Sequence, residues 1–209
     1  MEQSTDKKTP ASFTDLLRIR FKGLLDPAGA HLNKLGISPN TMTLLGLAGH
    51  IGAAVLLAYG EIQWGGLVVL LMAPFDALDG TMARLRGKTS RFGGFLDSVV
   101  DRYAELILVG GLLVYYIQQA NWLAIALAYV AAAGSIMVSY TKARGESLGF
   151  KVNVGLLTRV ERYLVIIPCL LFNIPLVLLW VLALFTNFTA LQRIFAVFKQ
   201  SKADDDLLK

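Results

Sequence analysis

The chain has one cysteine, Cys169, and two histidines, His31 and His50, among 209 residues. A single cysteine excludes an intramolecular disulfide and any multi-cysteine metal site. The histidines are far apart and match no metal spacing such as H-E-x-x-H, so both read as structural. Charge is scarce as well: 17% of the residues are charged and 55% hydrophobic. Soluble domains carry about a quarter charged residues. What recurs instead is the apolar run of roughly 20 residues that crosses a bilayer. The first such run starts well past the N-terminus with no small-residue cleavage site after it, so no removable signal peptide is expected. A basic soluble face is also missing, and nucleic acid is therefore not an expected partner of the net charge of +5.

Residues 1–12 are polar and expected to be disordered. From there Phe13, Leu16, Leu17, Phe21 and Leu24 follow helical spacing, with Asp15, Arg18 and Lys22 opposite. That pattern predicts a juxtamembrane amphipathic helix over 13–36, lying in the membrane interface or packed on its own protein. Six spans are predicted near 40–59, 64–86, 93–118, 121–142, 160–173 and 175–197, within a membrane domain of residues 37–199. The fifth is short and contains Pro168, and it reads either as a full span or as half of a hairpin that dips. Residues 200–209 form a polar tail whose Asp204, Asp205 and Asp206 read as a solvated end. The expected fold is all-α: a polytopic membrane protein with six transmembrane helices and an N-terminal interfacial amphipathic helix.

With six spans, Lys34, Arg86, Lys88, Arg91, Arg144, Lys151, Lys199 and Lys202 share one side. The opposite loops, near Tyr59–Gln63, Gln118–Asn121 and Asn173–Pro175, contain no Lys or Arg. The positive-inside rule puts both termini in the cytoplasm of a multi-pass cell-membrane protein. The basic side then faces anionic lipid head groups.

Between the second and third spans the chain reads DALDGTMARLRGKTSRFGGFLDSVVD. Asp76 and Asp79 are spaced i,i+3 and Asp97 and Asp101 i,i+4, so each pair lies on one helical face. The loop between them is short, which makes the two helices antiparallel neighbours. Four carboxylates in one pocket repel unless something cationic sits between them, and ionisable residues inside a membrane segment point to function. Oxygen ligands favour a hard cation, Mg²⁺ or Mn²⁺. Four carboxylates are enough for two ions, as in two-metal phosphoryl chemistry. Gly80 and Ala83 leave room beside the first pair, or serve tight helix packing. Arg84 is suited to bidentate phosphate contact. Gly93 and Gly94 open the next helix to close approach.

The segment resembles the signature of the CDP-alcohol phosphotransferase family, D-x2-D-G-x2-A-R-x8-G-x3-D-x3-D. Its fixed positions are Asp76, Asp79, Gly80, Ala83, Arg84, Gly93, Asp97 and Asp101. The resemblance implies a CDP-linked lipid donor, acyl or ether, that gives its phosphatidyl group to an alcohol as CMP leaves. It implies Asp76, Asp79, Asp97 and Asp101 as metal ligands, Asp101 also as the base for the attacking hydroxyl, and a homodimer. A carboxylate can take that proton as the P–O bond forms. Relatives have a Pro-Asn-x-x-Thr segment along the CDP pocket, which makes Asn40 and Thr43 candidate CDP-lipid contacts beside Gly80, Ala83, Arg84 and Gly93. Ser90 is a further candidate. Ser38 and Pro39 also read simply as a capped helix entry.

The loop between the fourth and fifth spans addresses the acceptor. Lys142, Arg144, Arg159 and Arg162 lie at the inner membrane surface, with Arg193 at the inner end of the last span. Such a cluster suits an acceptor that itself carries phosphate, although some of these charges would serve topology alone. Glu146 and Glu161 read as orienting the arginines. The K-A-R-x-E and R-x-E-R segments resemble the phosphatidylinositol-phosphate and archaetidylinositol-phosphate synthase branch, although Val160 stands where relatives often have proline. That implies transfer to inositol 1-phosphate, a phosphorylated polyol. Glycerol 3-phosphate is the alternative acceptor. A membrane cation transporter is the alternative class, disfavoured because the aspartates lie towards one face and no repeated broken-helix halves are seen.

Overall fold

Among the described residues seven helices carry the regular structure: α1 (Phe13–Lys34), α2 (Pro39–Ala58), α3 (Ile62–Leu85), α4 (Arg91–Gln118), α5 (Trp122–Ser147), α6 (Arg159–Leu171) and α7 (Pro175–Leu207). This computed structural model describes residues 13–87 and 90–207, without the side chains of 13–22, 24, 76 and 204–207. The expected disordered tail of residues 1–12 lies outside the described residues. Among those described the fold is all-α, as expected.

Among the described residues four helices are long and apolar enough to cross a membrane: α2, α3, α5 and residues 175–203 of α7. Their outward faces are apolar, with Leu44, Leu71, Leu123 and Leu184 all exposed. The other two of the six expected spans differ for physical reasons. Helix α4 has 28 residues but gathers Asp97, Asp101, Arg102 and Glu105 between its N-terminal end and its middle. Helix α6 has 13 residues, about 20 Å of helix against roughly 30 Å of hydrocarbon. It ends soon after Pro168, and Asn173 turns the chain at φ 56° into α7. At the other end, α7 continues as helix to Leu207, through the segment expected to be a polar tail.

The N-terminal helix runs over Phe13–Lys34, two residues short of the expected segment, and the second half of α1 packs on α3. A Cβ on Gly29 would lie 3.3 Å from Thr81 and 3.5 Å from Met82 and Leu85. Asn33 donates to the Met82 carbonyl at 3.1 Å, and Arg86 donates back to Asn33 at 2.6 Å and to the Ile37 carbonyl at 2.5 Å. The side chains that would define an interfacial face in its first half lie outside the described residues.

The core runs through Leu57, Val69, Leu108, Leu112, Leu170, Leu178 and Leu182. Small residues let the helices meet, the usual device where lipid is as apolar as the core. A Cβ on Gly111 would fall 2.5 Å from the Ala54 carbonyl oxygen, so α2 and α4 could not cross as they do with any larger residue. One on Gly66 would fall 2.7 Å from Leu170, where α3 receives α6. Polar bonds add direction to this packing. His50 on α2 bonds the Gly46 carbonyl through Nδ1 at 2.7 Å and the Tyr163 hydroxyl of α6 through Nε2 at 3.0 Å.

Candidate active site

Three helix ends converge where the aspartate motif lies. Ser38 caps α2, its hydroxyl accepting from the Thr41 amide at 3.1 Å, and Pro39 opens the helix with a preset φ. One turn on, Thr43 is buried and donates to Asp79 Oδ2 on α3 at 2.6 Å. Asp79 is itself 5% exposed. Ser90 caps α4 by accepting from the Gly93 amide at 2.8 Å. A Cβ on Gly93 would meet Ser90 Oγ at 2.8 Å and Asn40 Oδ1 at 3.2 Å. Asn40, Thr43, Ser90 and Gly93, separate in the chain, are thus brought to the same place. The N-terminal ends of α2 and α4 lie side by side there, both positive.

Along α3, Arg84 lies back over its own helix. It donates to Thr81 Oγ1 at 2.7 Å, and a Cβ on Gly80 would stand 3.5 Å from its Nη1. Ala83 is half-buried on the same helix. The side chain of Asp76, one turn before Gly80, lies outside the described residues.

On α4 the acidic stripe continues beyond the motif. Asp97 is half-buried and Asp101 9% exposed, and one turn further Glu105 is 4% exposed. Arg159 of α6 pairs with Asp101 Oδ1, and Arg102 with Oδ2 at 3.2 Å. Glu105 Oε2 pairs with Arg162 Nη1 at 3.1 Å, while its Oε1 accepts from Ser135 Oγ of α5 at 2.7 Å. Arg162 also donates to the Ser135 carbonyl at 3.4 Å and is 2% exposed. Arg159 is the first residue of α6. A cation there opposes the helix dipole, so Asp101 offsets a placement that local helix energetics disfavour.

Arg193 of α7 is 5% exposed and donates to the Val154 carbonyl at 2.9 Å and to the Val138 carbonyl. It holds the 148–158 loop against α7, together with Thr189, which accepts from the Leu157 amide at 3.0 Å. Gly155 stands in that loop at φ 146°, against Arg193. Arg102 and Arg159 lie within Coulombic reach of Arg162, and Arg162 and Arg102 within reach of Arg193. Three expected acceptor residues, Arg159, Arg162 and Arg193, therefore gather with one that sequence reasoning missed, Arg102. Lys142 is half-exposed and 3.8 Å from Glu146, which is in Coulombic reach of Arg193. Arg144 is exposed in the last turn of α5. Glu161 accepts from Thr158 at the entry to α6.

Glu105 and Ser135 were also missed. Glu105 had a signal, because it repeats the Asp97–Asp101 spacing into the apolar part of its helix. Ser135 had none, being one small residue among many in α5. Among the described residues no three His, Cys, Asp or Glu side chains converge closely enough to hold a metal ion. The donor chemistry still fits a hard divalent cation: carboxylate oxygens only, from two consecutive helices that pack on α2, with Asp79 and Asp101 buried. Arg159 and Arg102 at Asp101 show that this position draws positive charge.

The family model described as CDP-alcohol phosphatidyltransferase matches residues 36–192. A phosphatidylinositol phosphate synthase of Streptomyces avermitilis is 39% identical over 204 residues, covering 90% of this chain and 83% of that protein. An archaetidylinositol phosphate synthase of Pyrococcus horikoshii is 31% identical over 185 residues, covering 88% and 96%. The crystal structure of Mycobacterium tuberculosis phosphatidylinositol phosphate synthase with CDP-DAG bound superposes with TM-score 0.77 at 29% identity, covering 84% of this chain and 94% of that one. The same enzyme in complex with manganese and citrate gives TM-score 0.74 at 30% identity, covering 84% and 89%.

Proposed function

The chain belongs to the CDP-alcohol phosphotransferase family, and we propose that it transfers a phosphatidyl-type group from a CDP-linked lipid to the hydroxyl of inositol 1-phosphate. The donor is CDP-diacylglycerol or its ether analogue, and CMP is released. The observation that carries this reading is the Asp101–Arg159 pair, where an aspartate of the motif meets the arginine cluster. A phosphate on that cluster would hold the acceptor's hydroxyl beside a motif carboxylate.

Residue roles follow from position. Asn40, Thr43, Gly80, Ala83, Arg84, Ser90 and Gly93 form the donor's pocket, with Arg84 for a phosphate. Arg159, Arg162 and Arg193 receive the acceptor's phosphate, with Lys142 and Arg144 at the rim. As the acceptor oxygen bonds to the lipid-side phosphorus, the bond from that phosphorus to the CMP oxygen breaks, and the hydroxyl proton passes to Asp101. A carboxylate placed so contributes typically 10²–10⁴-fold. Asp76, Asp79, Asp97 and Asp101 are the residues that would hold two Mg²⁺ or Mn²⁺ ions, which when bound neutralise charge on the diphosphate and the departing CMP. Thr43 keeps Asp79 oriented for that duty. Six membrane crossings with the site and both termini on the cytoplasmic side, and a homodimer, belong to the same proposal. The basic loops support the orientation.

The test is CMP release by the purified protein in nanodiscs with CDP-diacylglycerol and Mg²⁺ or Mn²⁺. Release is expected with inositol 1-phosphate, far less with unphosphorylated inositol, and none after chelation. Release with glycerol 3-phosphate but not inositol 1-phosphate would replace the acceptor. No metal-dependent release with any alcohol would refute the reading.

A further inference from the structure

Glu105 has no step of its own in this chemistry, yet it and its partner Arg162 are both buried, at 4% and 2% exposure. Charges inside a membrane protein are costly unless paired, and a short apolar helix has cheaper ways to pack. We propose that Glu105, with Ser135, is a positioning residue for the acceptor-phosphate site, acting through Arg162 and, one turn away, Arg159. The inference rests on the acceptor reading above.

Asp101 and Glu105 are i,i+4 on α4, and Arg159 and Arg162 are i,i+3 on α6, so one face meets one face in two rungs. Both oxygens of Glu105 are engaged, one by Arg162 and one by the Ser135 hydroxyl. Arg162 Nη1 is thereby fixed between Glu105 and the Ser135 carbonyl, whereas Nε has no hydrogen-bond partner among the described residues. Arg102 and Arg159 repel Arg162, and Arg162 repels Arg193. Four guanidiniums do not stay together before an anion arrives unless a negative charge is built in among them. Glu105 is that charge for Arg162, as Asp101 is for Arg159 and Arg102. The next residue, Tyr163, is bonded to His50 of α2, so the same turn of α6 is fixed from α2 as well as from α4 and α5. With only Arg162, Ile166 and Leu170 of α6 buried, these polar bonds set its rotation, and with it the approach of Arg159 to Asp101.

Glu105→Gln in the full chain keeps the shape and removes the charge. It should raise the KM for the phosphorylated acceptor and the Kd for inorganic phosphate each about tenfold, with the KM for CDP-lipid within about twofold. Glu105→Asp should recover part of the loss. Ser135→Ala is the milder variant, with an acceptor KM raised about threefold, and it carries the test if Glu105→Gln does not fold. Unchanged acceptor KM and phosphate affinity, or donor and acceptor KM raised alike, would overturn the positioning role. A wild type that neither binds phosphate nor uses a phosphorylated acceptor would overturn the acceptor reading, and this inference with it.

Discussion

Asp79 and Asp101, each nearly buried, lie on consecutive helices that pack on α2, and their surroundings differ in kind. Asp79 receives the hydroxyl of Thr43 from α2 at 2.6 Å, a neutral donor that orients a carboxylate. Asp101 receives two guanidiniums, Arg159 and Arg102, and one turn on Glu105 receives a third. One side of the site is organised by hydroxyls, helix caps and glycines, the other by charge against charge. The first suits a donor whose diphosphate brings its own negative charge. The second suits an anion that competes for the arginines, which is what a phosphorylated acceptor does.

Asp101 stands on both sides of that division, and its replacement has the largest expected effect. Asp101→Asn should lower kcat by about 10³-fold, while binding of CDP-lipid persists in a direct binding assay. Loss of donor binding of the same size would place Asp101 on the donor side alone. Thr43→Val touches only the hydroxyl side: Mn²⁺ affinity, followed by electron paramagnetic resonance, should fall about tenfold with the acceptor KM nearly constant. An acceptor KM that moved equally would erase the distinction between the two sides. Arg144→Gln is the smallest: an exposed cation is worth about 0.2–1 kcal/mol, so the acceptor KM should rise less than about fivefold. A larger rise would extend the charged side outward along α5.

The two sides were unequally legible in the sequence. The aspartate side sits largely within one stretch of chain, where helical spacing alone puts Asp76 with Asp79 and Asp97 with Asp101 on common faces. Its cap at Ser38 is a local signal too, whereas Ser90, read as a donor contact, was not read as the cap of α4. The arginine side draws on α4, α5, α6 and α7, so periodicity marked residues without showing which of them meet. Arg102 and Ser135 were invisible for that reason, and Arg193 showed its charge but not its bonds to Val138 and Val154. The shortness of α6 was legible, because Pro168 and the Asn173 turn bound it. The seating of α1 on α3 was not, since an apolar stripe does not name the surface it will cover. Nor was the continuation of α7 to Leu207, since a helix that leaves the bundle needs no apolar face to reveal it.

The central claim is that the arginine cluster reads the acceptor's phosphate next to Asp101. Its most direct measurement is the ratio of kcat/KM for inositol 1-phosphate over free inositol, in the wild type and in Arg159→Gln. A hydrogen-bonded charge pair is worth about 1.5–3 kcal/mol, so the ratio should fall about 10- to 150-fold in the variant, with the KM for CDP-lipid little changed. An unchanged ratio, with both acceptors slowed equally, would contradict the account and leave Arg159 as a partner of Asp101 with no part in choosing the substrate.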